Sequence, residues 1–224
     1  MALEYPTGPL PDGFPVAEPN SLEVLSRLHH SDHGAWFPDS GPNSRFNLEA
    51  PWGTCYTAEV DLGAFMEKFV RVSNVISETA LNKFRLSHFQ TDPRLRIADF
   101  TDPLAKAAGV TAEIHSTTDY DMTQEWARAA HDAGFDGVRY YAASDPSCSL
   151  ISVALFDDSN TTPLDPIHTD LIPEELIREA EERFGIVVVP AVLPRSVQAE
   201  EARKAAKTRR MRLRSELARK RRKK

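Results

Sequence analysis

Residues 45–67 read RFNLEAPWGTCYTAEVDLGAFME and predict a loop, a strand and a helix in immediate succession. The loop ends at Gly53, and residues 54–60 are rich in β-branched and aromatic side chains, which is typical of a strand. Asp61 follows at the position where a helix cap is expected. Beyond it, apolar side chains recur every three or four residues, as on the buried face of a helix: Leu62, Phe65, Met66, Phe69 and Val70.

Three side chains of this unit could take part in binding or catalysis: Arg45 in the loop, Tyr56 on the strand and Glu67 on the helix. A strand–turn–helix unit brings such residues close together, as a binding site requires. Each residue also has an ordinary structural explanation. Glu67 lies off the apolar stripe and fits a solvated helix position, Tyr56 fits a core position on a strand, and Arg45 fits a surface arginine. The residues alone leave both explanations open.

A chain of 224 residues is long enough for one full hydrophobic core. Five prolines predict an irregular arm over residues 1–19. The main domain is expected over residues 20–194, and a basic helical or disordered tail over residues 195–224. The sequence therefore predicts a single folded domain between two extensions.

Within the main domain, helix and strand patterns are mixed. A short segment capped by Asn20 or Ser21 is expected to end at His30. The further helices are predicted at residues 77–89, 103–108, 124–133 (capped by Asp121 or Thr123) and 174–184. The further strands are predicted at residues 95–100, 110–114, 135–141, 150–156 and 186–189, with a polar loop at residues 159–172.

Composition excludes several classes of protein. No apolar run is long enough to span a bilayer, and residues 1–19 lack the basic start and apolar block of a secretory signal. Cys55 and Cys148 have no paired spacing, which favours free thiols in a reducing cytoplasm. No metal site is expected, because the spacing of the histidine-rich group matches no metal motif and fits solvated loop residues: His29, His30, Asp32 and His33.

Charge is divided unevenly along the chain. The 27 basic and 33 acidic residues give a net charge of −6. Residues 201–224 contain 13 Lys or Arg and two Glu, a local charge of +11, which leaves −17 for residues 1–200. A helix expected from Ser196 would have a narrow apolar stripe suited to a homodimer contact. Its positive charge also predicts non-specific binding of nucleic acid, while the acidic body argues against nucleic acid as a substrate.

Two stretches of the chain resemble the RES-domain family, which is named for an Arg, a Glu and a Ser. Residues 41–67 contain the Arg-Phe-Asn, Gly-Thr-Cys-Tyr-Thr-Ala and Ala-Phe-Met-Glu pieces, and Arg27 begins an Arg-Leu-His sequence. Farther on, an Asp-Gly pair lies at the start of the strand predicted at residues 135–141, and Leu-Phe-Asp closes the next strand. The resemblance covers roughly residues 22–158 and implies an α+β domain with a fold related to ADP-ribosyltransferases.

The sequence departs from the family at the serine. Counting back from Asp145 puts the expected serine at Ala142. Ser144 is two residues farther on and would face the same side if the strand continued through it. Ser144 is therefore the candidate substitute, although a shifted alignment and a protein that works without the serine stay open.

Members of the RES-domain family include toxins of toxin–antitoxin pairs that destroy NAD, so the resemblance implies NAD as the substrate. Cleaving the nicotinamide–ribose bond develops positive charge on the ribose, which an enzyme must stabilise. Arg45 suits the pyrophosphate, with Arg27 as a second arginine of the cleft. Tyr56 suits the nicotinamide ring, and Glu67 can stabilise the ribosyl cation. No Gly-rich phosphate loop is present, so NAD is expected to be consumed rather than held as a redox cofactor.

Three functions remain open from the sequence. The first is NAD degradation, by hydrolysis or by phosphorolysis. The second is an ADP-ribosyltransferase that modifies a protein, and the third is a non-catalytic interaction protein of the same fold, which the missing serine suggests. The resemblance also implies a cognate antitoxin protein as a partner.

Overall fold

The computed structural model describes residues 2–18, 22–70, 73–158 and 164–191. That part of the chain contains nine strands and four α-helices, so the predicted α+β class is confirmed. The strands are β1 (Val24–His30), β2 (Trp52–Ala58), β3 (Val75–Ser77), β4 (Phe84–Gln90), β5 (Ile97–Asp99), β6 (Gly137–Tyr141), β7 (Ile151–Asp158), β8 (His168–Asp170) and β9 (Val187–Val189). The α-helices are α1 (Asp61–Phe69), α2 (Glu78–Leu81), α3 (Tyr120–Asp132) and α4 (Glu174–Phe184), and two 3-10 helices precede α3, Pro103–Ala108 and Ala112–His115.

Seven of these strands form one sheet in the order β5-β6-β7-β2-β1-β4-β8. The β5–β6 pair is parallel, and the other neighbouring pairs are antiparallel. Strands β3 and β9 form a separate parallel pair. The strand that carries Tyr56, β2, lies at the centre of the large sheet, so its backbone is held from both sides.

Apolar side chains pack on both faces of the large sheet. On β2, Cys55 packs with Leu25 and Val153 on one face. The next residue, Tyr56, packs against the cluster on the other face that contains Phe46. Because successive side chains of a strand point to opposite faces, the alternation along β2 supplies both halves of the core.

The strand–turn–helix unit predicted at residues 54–70 is confirmed, but its cap is not. The residue that caps α1 is Val60, which makes no side-chain cap hydrogen bond. Asp61 is instead the first helical residue, and its Oδ1 accepts a hydrogen bond from Ser26 Oγ at 2.6 Å. The same oxygen lies 2.8 Å from His88 Nε2. Asp61 therefore ties the start of α1 to strands β1 and β4 rather than capping the helix.

The helix predicted at residues 77–89 is wrong for most of its length. It is a single turn, α2, followed by strand β4, whose seven residues all pair with β1. Leu86 packs on one face of the sheet and Phe89 on the other. Pairing with β1 satisfies the backbone along the whole segment, and this tertiary contact outweighs the helix-like spacing of the apolar residues. The capped segment expected to end at His30 is likewise a strand, β1, and residues 19–21 lie outside the described part.

Two further predictions fail near α3. The strand expected at residues 110–114 is replaced by the 3-10 helix Ala112–His115, in which Ile114 N–H donates to the Thr111 carbonyl at 3.1 Å. The α3 helix begins at Tyr120, a turn earlier than predicted. Its cap is Asp119, which accepts from the Met122 amide at 3.2 Å. Neither of the two predicted caps serves, because both Asp121 and Thr123 lie inside the helix.

The C-terminal half follows the sequence patterns more closely. Helix α4 has the predicted bounds, and Gly185 ends it with a left-handed φ of 64°. Strands β5, β6, β7 and β9 lie within or overlap their predicted ranges. The helix predicted at residues 103–108 is a 3-10 helix, Pro103–Ala108, which Asp102 caps. The loop predicted at residues 159–172 contains one strand that the sequence does not indicate, β8, which pairs with β4.

The N-terminal arm is irregular, yet it contributes to the core. Leu3, Leu10 and Phe14 are buried in the same cluster as α3 residues, and Val16 forms an isolated bridge with Ala98. The basic helix predicted from Ser196 lies outside the described residues. In the described part, both cysteines are free thiols, and no helix is both long and apolar enough to cross a membrane.

Candidate active site

Side chains of β2 hold the loop that carries Arg45. The Phe46 amide donates to the Tyr56 hydroxyl at 2.8 Å, and the Thr54 hydroxyl donates to the Phe46 carbonyl at 2.8 Å. Phe46 is fully buried, so both of its backbone groups need these partners. The Arg-Phe-Asn and Gly-Thr-Cys-Tyr pieces are therefore joined by hydrogen bonds, which fix the backbone position of the loop next to Arg45.

A second segment lies against β2 at Gly53. A Cβ atom added to Gly53 would lie 2.9 Å from the backbone carbonyl carbon of Pro38, closer than real Cβ contacts allow. The next residues pair through their backbones, since Asp39 and Thr54 exchange two hydrogen bonds of 3.1 and 2.9 Å. Glycine at this position thus allows the segment around Asp39 to form one wall beside the strand.

Two adjoining cavities lie beside this unit, and Tyr56 and Glu67 line both of them. The larger, of about 370 Å³, is also lined by Arg27. The smaller, of about 30 Å³, is also lined by Arg45 and Ser144. The structure therefore brings all five residues predicted for the site around one pair of cavities, which we call the cleft.

Arg27 reaches the cleft from β1. Its Nη1 donates to the Tyr56 carbonyl at 2.8 Å, which anchors the guanidinium beside β2. Its Nε is buried and has no hydrogen-bond partner among the described residues. A buried cationic N–H without a partner is unfavourable, so Arg27 retains a donor that an anionic ligand could use.

Arg45 is half-buried and is oriented by the loop before α3. Its Nη1 donates to the Thr117 carbonyl, and its guanidinium carbon lies 5.6 Å from the centre of the Tyr120 ring. Its own carbonyl accepts a hydrogen bond from the Thr123 hydroxyl. These contacts hold a positive charge at the wall of the smaller cavity.

Ser144 and Ala142 occupy different environments. Ala142 is 1% exposed and packs in an apolar cluster with Leu62 and Phe65. Ser144 lies in a turn after β6, so the alternation expected of a continuing strand does not hold. Its Oγ is buried and, within the described chain, makes no hydrogen bond. Of the two positions, Ser144 is the one that lines the smaller cavity.

Glu67 is half-buried rather than fully solvated, and hydroxyl groups lie behind it. The Ser152 hydroxyl donates to Glu67 Oε1 at 3.2 Å, and Ser152 itself is completely buried on β7. Tyr140 lines the smaller cavity, and its phenol lies close enough to Glu67 and Ser152 for both to act on its pKa. Burial, followed by the charge of Glu67, raises the pKa of Tyr140, so its phenol stays protonated and can donate.

The histidine-rich segment is a solvated loop only in part: Asp32 and His33 are exposed after β1, whereas His29 and His30 lie on the strand. His29 lies on β1, is 7% exposed, and its Nε2 lies 3.0 Å from Ser87 Oγ. Burial lowers the pKa of His29. Among the residues that the structure describes, no group of three or more His, Cys, Asp or Glu side chains is arranged to hold a metal ion. His29 therefore has a structural role in the sheet.

Residues 24–176, well over half of the chain, match the model of the RES domain. The chain belongs to the RES domain family. In structure, this RES domain is similar to a chain from the crystal structure of the M. tuberculosis MbcT-MbcA toxin–antitoxin complex, with a TM-score of 0.54 and 19% sequence identity. The similarity covers 70% of this chain and 87% of that chain, and at this identity it concerns the fold. No curated protein matches the sequence.

The sequence pattern of this RES domain does not predict Ser152 and Tyr140 as neighbours of Glu67. Ser152 stands alone as a polar residue within the apolar run at residues 150–156, and that exception is a signal that could have identified it. Tyr140 has no such signal, because an aromatic residue on a strand is ordinary. Their roles follow only from the pairing of β7 with β6 and β2.

Proposed function

We propose that this RES domain degrades NAD by cleaving the nicotinamide–ribose bond, through hydrolysis or phosphorolysis, and that it acts as the toxin of a toxin–antitoxin pair. The observation that carries the proposal is the composition of the cleft. Two guanidinium groups, the Glu67 carboxylate and a serine hydroxyl that has no partner among the described residues converge there. The family match and the likeness to a chain of a toxin–antitoxin complex support the same conclusion.

Each group has a defined task in this reaction. Arg45 and Arg27 bind the pyrophosphate, because guanidinium forks give paired, charge-assisted hydrogen bonds to phosphate oxygens. Glu67 lies beside the ribose and stabilises the oxocarbenium-like cation as neutral nicotinamide departs. The Ser152 hydroxyl orients Glu67 by donating to its Oε1. Water or inorganic phosphate then attacks the ribosyl carbon and completes the cleavage.

NAD is a substrate in this proposal, and the protein partner is a cognate antitoxin. The similar M. tuberculosis chain comes from a complex of a toxin with its antitoxin. An antitoxin that covers the cleft would prevent NAD loss in the cell. Expression of this chain alone is therefore expected to deplete cellular NAD, and co-expression with the product of a neighbouring gene is expected to prevent it.

The direct test is incubation of the purified protein with NAD, with and without inorganic phosphate. Release of nicotinamide with free ADP-ribose supports hydrolysis, and a phosphorylated ADP-ribose that forms only with phosphate supports phosphorolysis. Transfer of radiolabel from NAD to added protein would favour an ADP-ribosyltransferase. Absence of turnover under all conditions would contradict the proposal and favour a non-catalytic member of the family.

Arg45→Ala is expected to weaken NAD binding more than Tyr56→Phe does. Loss of the charged contacts to pyrophosphate should raise Kd by about 10- to 100-fold, whereas loss of one hydroxyl should raise it only a few-fold. Calorimetric titration in a Glu67→Gln background, in which turnover is expected to be slow, measures both. The matched control is Arg94→Ala, which removes an exposed arginine that lines neither cavity. Equal Kd values for the Arg45 and Tyr56 variants would remove Arg45 from the phosphate role.

Ser144→Ala is expected to lower NAD turnover about tenfold, because the lost hydroxyl is proposed to bind the substrate. Ala142→Ser should change turnover little, since position 142 faces an apolar cluster. Initial rates of the two variants, measured side by side, decide between the positions. If Ala142→Ser raised activity and Ser144→Ala left it unchanged, the serine would have been lost from position 142 rather than replaced.

A further inference from the structure

A second sizeable cavity lies outside the cleft. It has a volume of about 680 Å³ and lies at the carboxyl ends of the parallel strands β5 and β6. Its walls come from the segment after β5, both 3-10 helices and the turn after β6. None of the five residues predicted from the sequence lines it, so the proposed function leaves it unexplained.

The walls of this cavity suit a flat heteroaromatic ring. Phe100 and Val110 give buried apolar surface, and the rings of His115 and Tyr141 meet edge to face, with centres 5.0 Å apart. Burial, followed by the charge of Arg45, lowers the pKa of His115 to about 4. The imidazole is therefore uncharged at neutral pH. Sites for planar ligands combine such apolar walls with a few fixed polar groups.

The polar lining of the cavity includes Thr101, Asp102, Ser116 and Asp145, and three further groups suit the edge of a ring or a phosphate. His115 Nδ1 accepts from the Tyr141 amide at 3.3 Å, which places the ring proton on Nε2 as a donor. Thr111 lines the cavity, and its buried Oγ1 has no hydrogen-bond partner in the described parts of the chain. Lys106 supplies an exposed cation at the rim. The unpaired hydroxyl is the observation that points to a ligand, because buried polar groups are normally satisfied.

The cavity adjoins the cleft. Ala143 lines both this cavity and the smaller cavity of the cleft. Arg45 lies close enough to His115 for its charge to act on the imidazole, and it is bonded to the loop that follows His115. An elongated ligand whose ribose lies at Glu67 could therefore pass its phosphates along Arg45 and place its far end here.

We propose that this cavity binds the adenine base of the dinucleotide, with the Thr111 hydroxyl and His115 Nε2 on the ring edge and Lys106 near the adjoining phosphate. The inference rests on the proposed function and adds a specificity site to it. Such a site would make the protein prefer NAD over nicotinamide mononucleotide, which has the reactive bond but no adenine. It would also allow AMP to bind the protein without any reaction.

AMP binding provides the test, because it needs no catalysis. The probe is AMP, titrated by calorimetry, with ribose 5-phosphate as the ligand that lacks the base. Ala112→Trp projects a bulky ring into the cavity from an exposed position, and its matched control is Ala107→Trp, on an exposed residue that does not line the cavity. Thr111→Val keeps the shape of the side chain and removes the unpaired hydroxyl.

The expected result is AMP binding by the wild type, at least tenfold tighter than ribose 5-phosphate. Ala112→Trp should weaken AMP binding at least tenfold, Thr111→Val about threefold or more, and Ala107→Trp less than twofold. Equal binding of AMP and ribose 5-phosphate, or equal AMP binding by the two tryptophan variants, would overturn the adenine site. NAD turnover by the wild type is scored separately, so failure of the adenine site and failure of the proposed reaction are distinguishable.

Discussion

Glu67→Gln is expected to reduce NAD turnover by at least about 30- to 100-fold, equivalent to about 2–3 kcal/mol of lost transition-state stabilisation. The substitution keeps the size of the side chain and removes its charge. Its amide oxygen can still accept the Ser152 hydroxyl, which lies 3.2 Å from Glu67 Oε1. The variant should therefore fold normally while failing to stabilise a ribosyl cation.

The measurements for Glu67→Gln are nicotinamide release and the thermal unfolding temperature. Glu125→Gln is the matched control, because Glu125 is paired with Arg128 on α3, outside both cavities of the cleft. The control should keep wild-type turnover. Turnover by Glu67→Gln within threefold of wild type would remove Glu67 from the catalytic role, whatever the unfolding temperature.

Local sequence patterns predict the central strand–turn–helix unit correctly. The β-branched run before Asp61 and the apolar spacing after it predict β2 and α1, and both are present. The glycine stop signal also acts over short range, which is why the Gly185 end of α4 is predicted to the residue. The placement of Arg45, Tyr56 and Glu67 around one space follows from this local unit.

Features that depend on distant strands are not predicted. Strand β4 looks helical in its spacing, and only pairing with β1 decides its structure. Ser152 meets Glu67 across 85 positions of sequence, because β7 pairs with β2, which leads into α1. The position of Ser144 depends on a turn rather than on a continuing strand. In each case the deciding contact lies far away in sequence, where periodicity carries no information.

One such long-range contact is an ion network on the other side of β6. Arg139 Nε donates to Glu59 Oε1 at 2.7 Å, and its Nη1 donates to Asp99 Oδ2 at 3.0 Å. The three side chains are only 12–17% exposed. Burial disfavours the charge of Arg139, but hydrogen bonds and attraction from Glu59 and Asp99 outweigh it and raise the pKa of Arg139. The network links β5 and β6 to the turn that leads into α1.

Arg139→Met is expected to lower the free energy of unfolding by about 3–5 kcal/mol, because it leaves two largely buried carboxylates facing each other without a cation. Urea unfolding at neutral pH measures the loss. Combining Arg139→Met with Glu59→Gln and Asp99→Asn removes the unpaired charges and should recover part of the stability. Arg94→Ala breaks an exposed ion pair, with the arginine side chain 88% exposed, and should leave the free energy of unfolding nearly unchanged. If Arg139→Met cost as little as this surface control, the network would not hold β6 and the start of α1 together, and the position of Glu67 would have to depend on apolar packing alone.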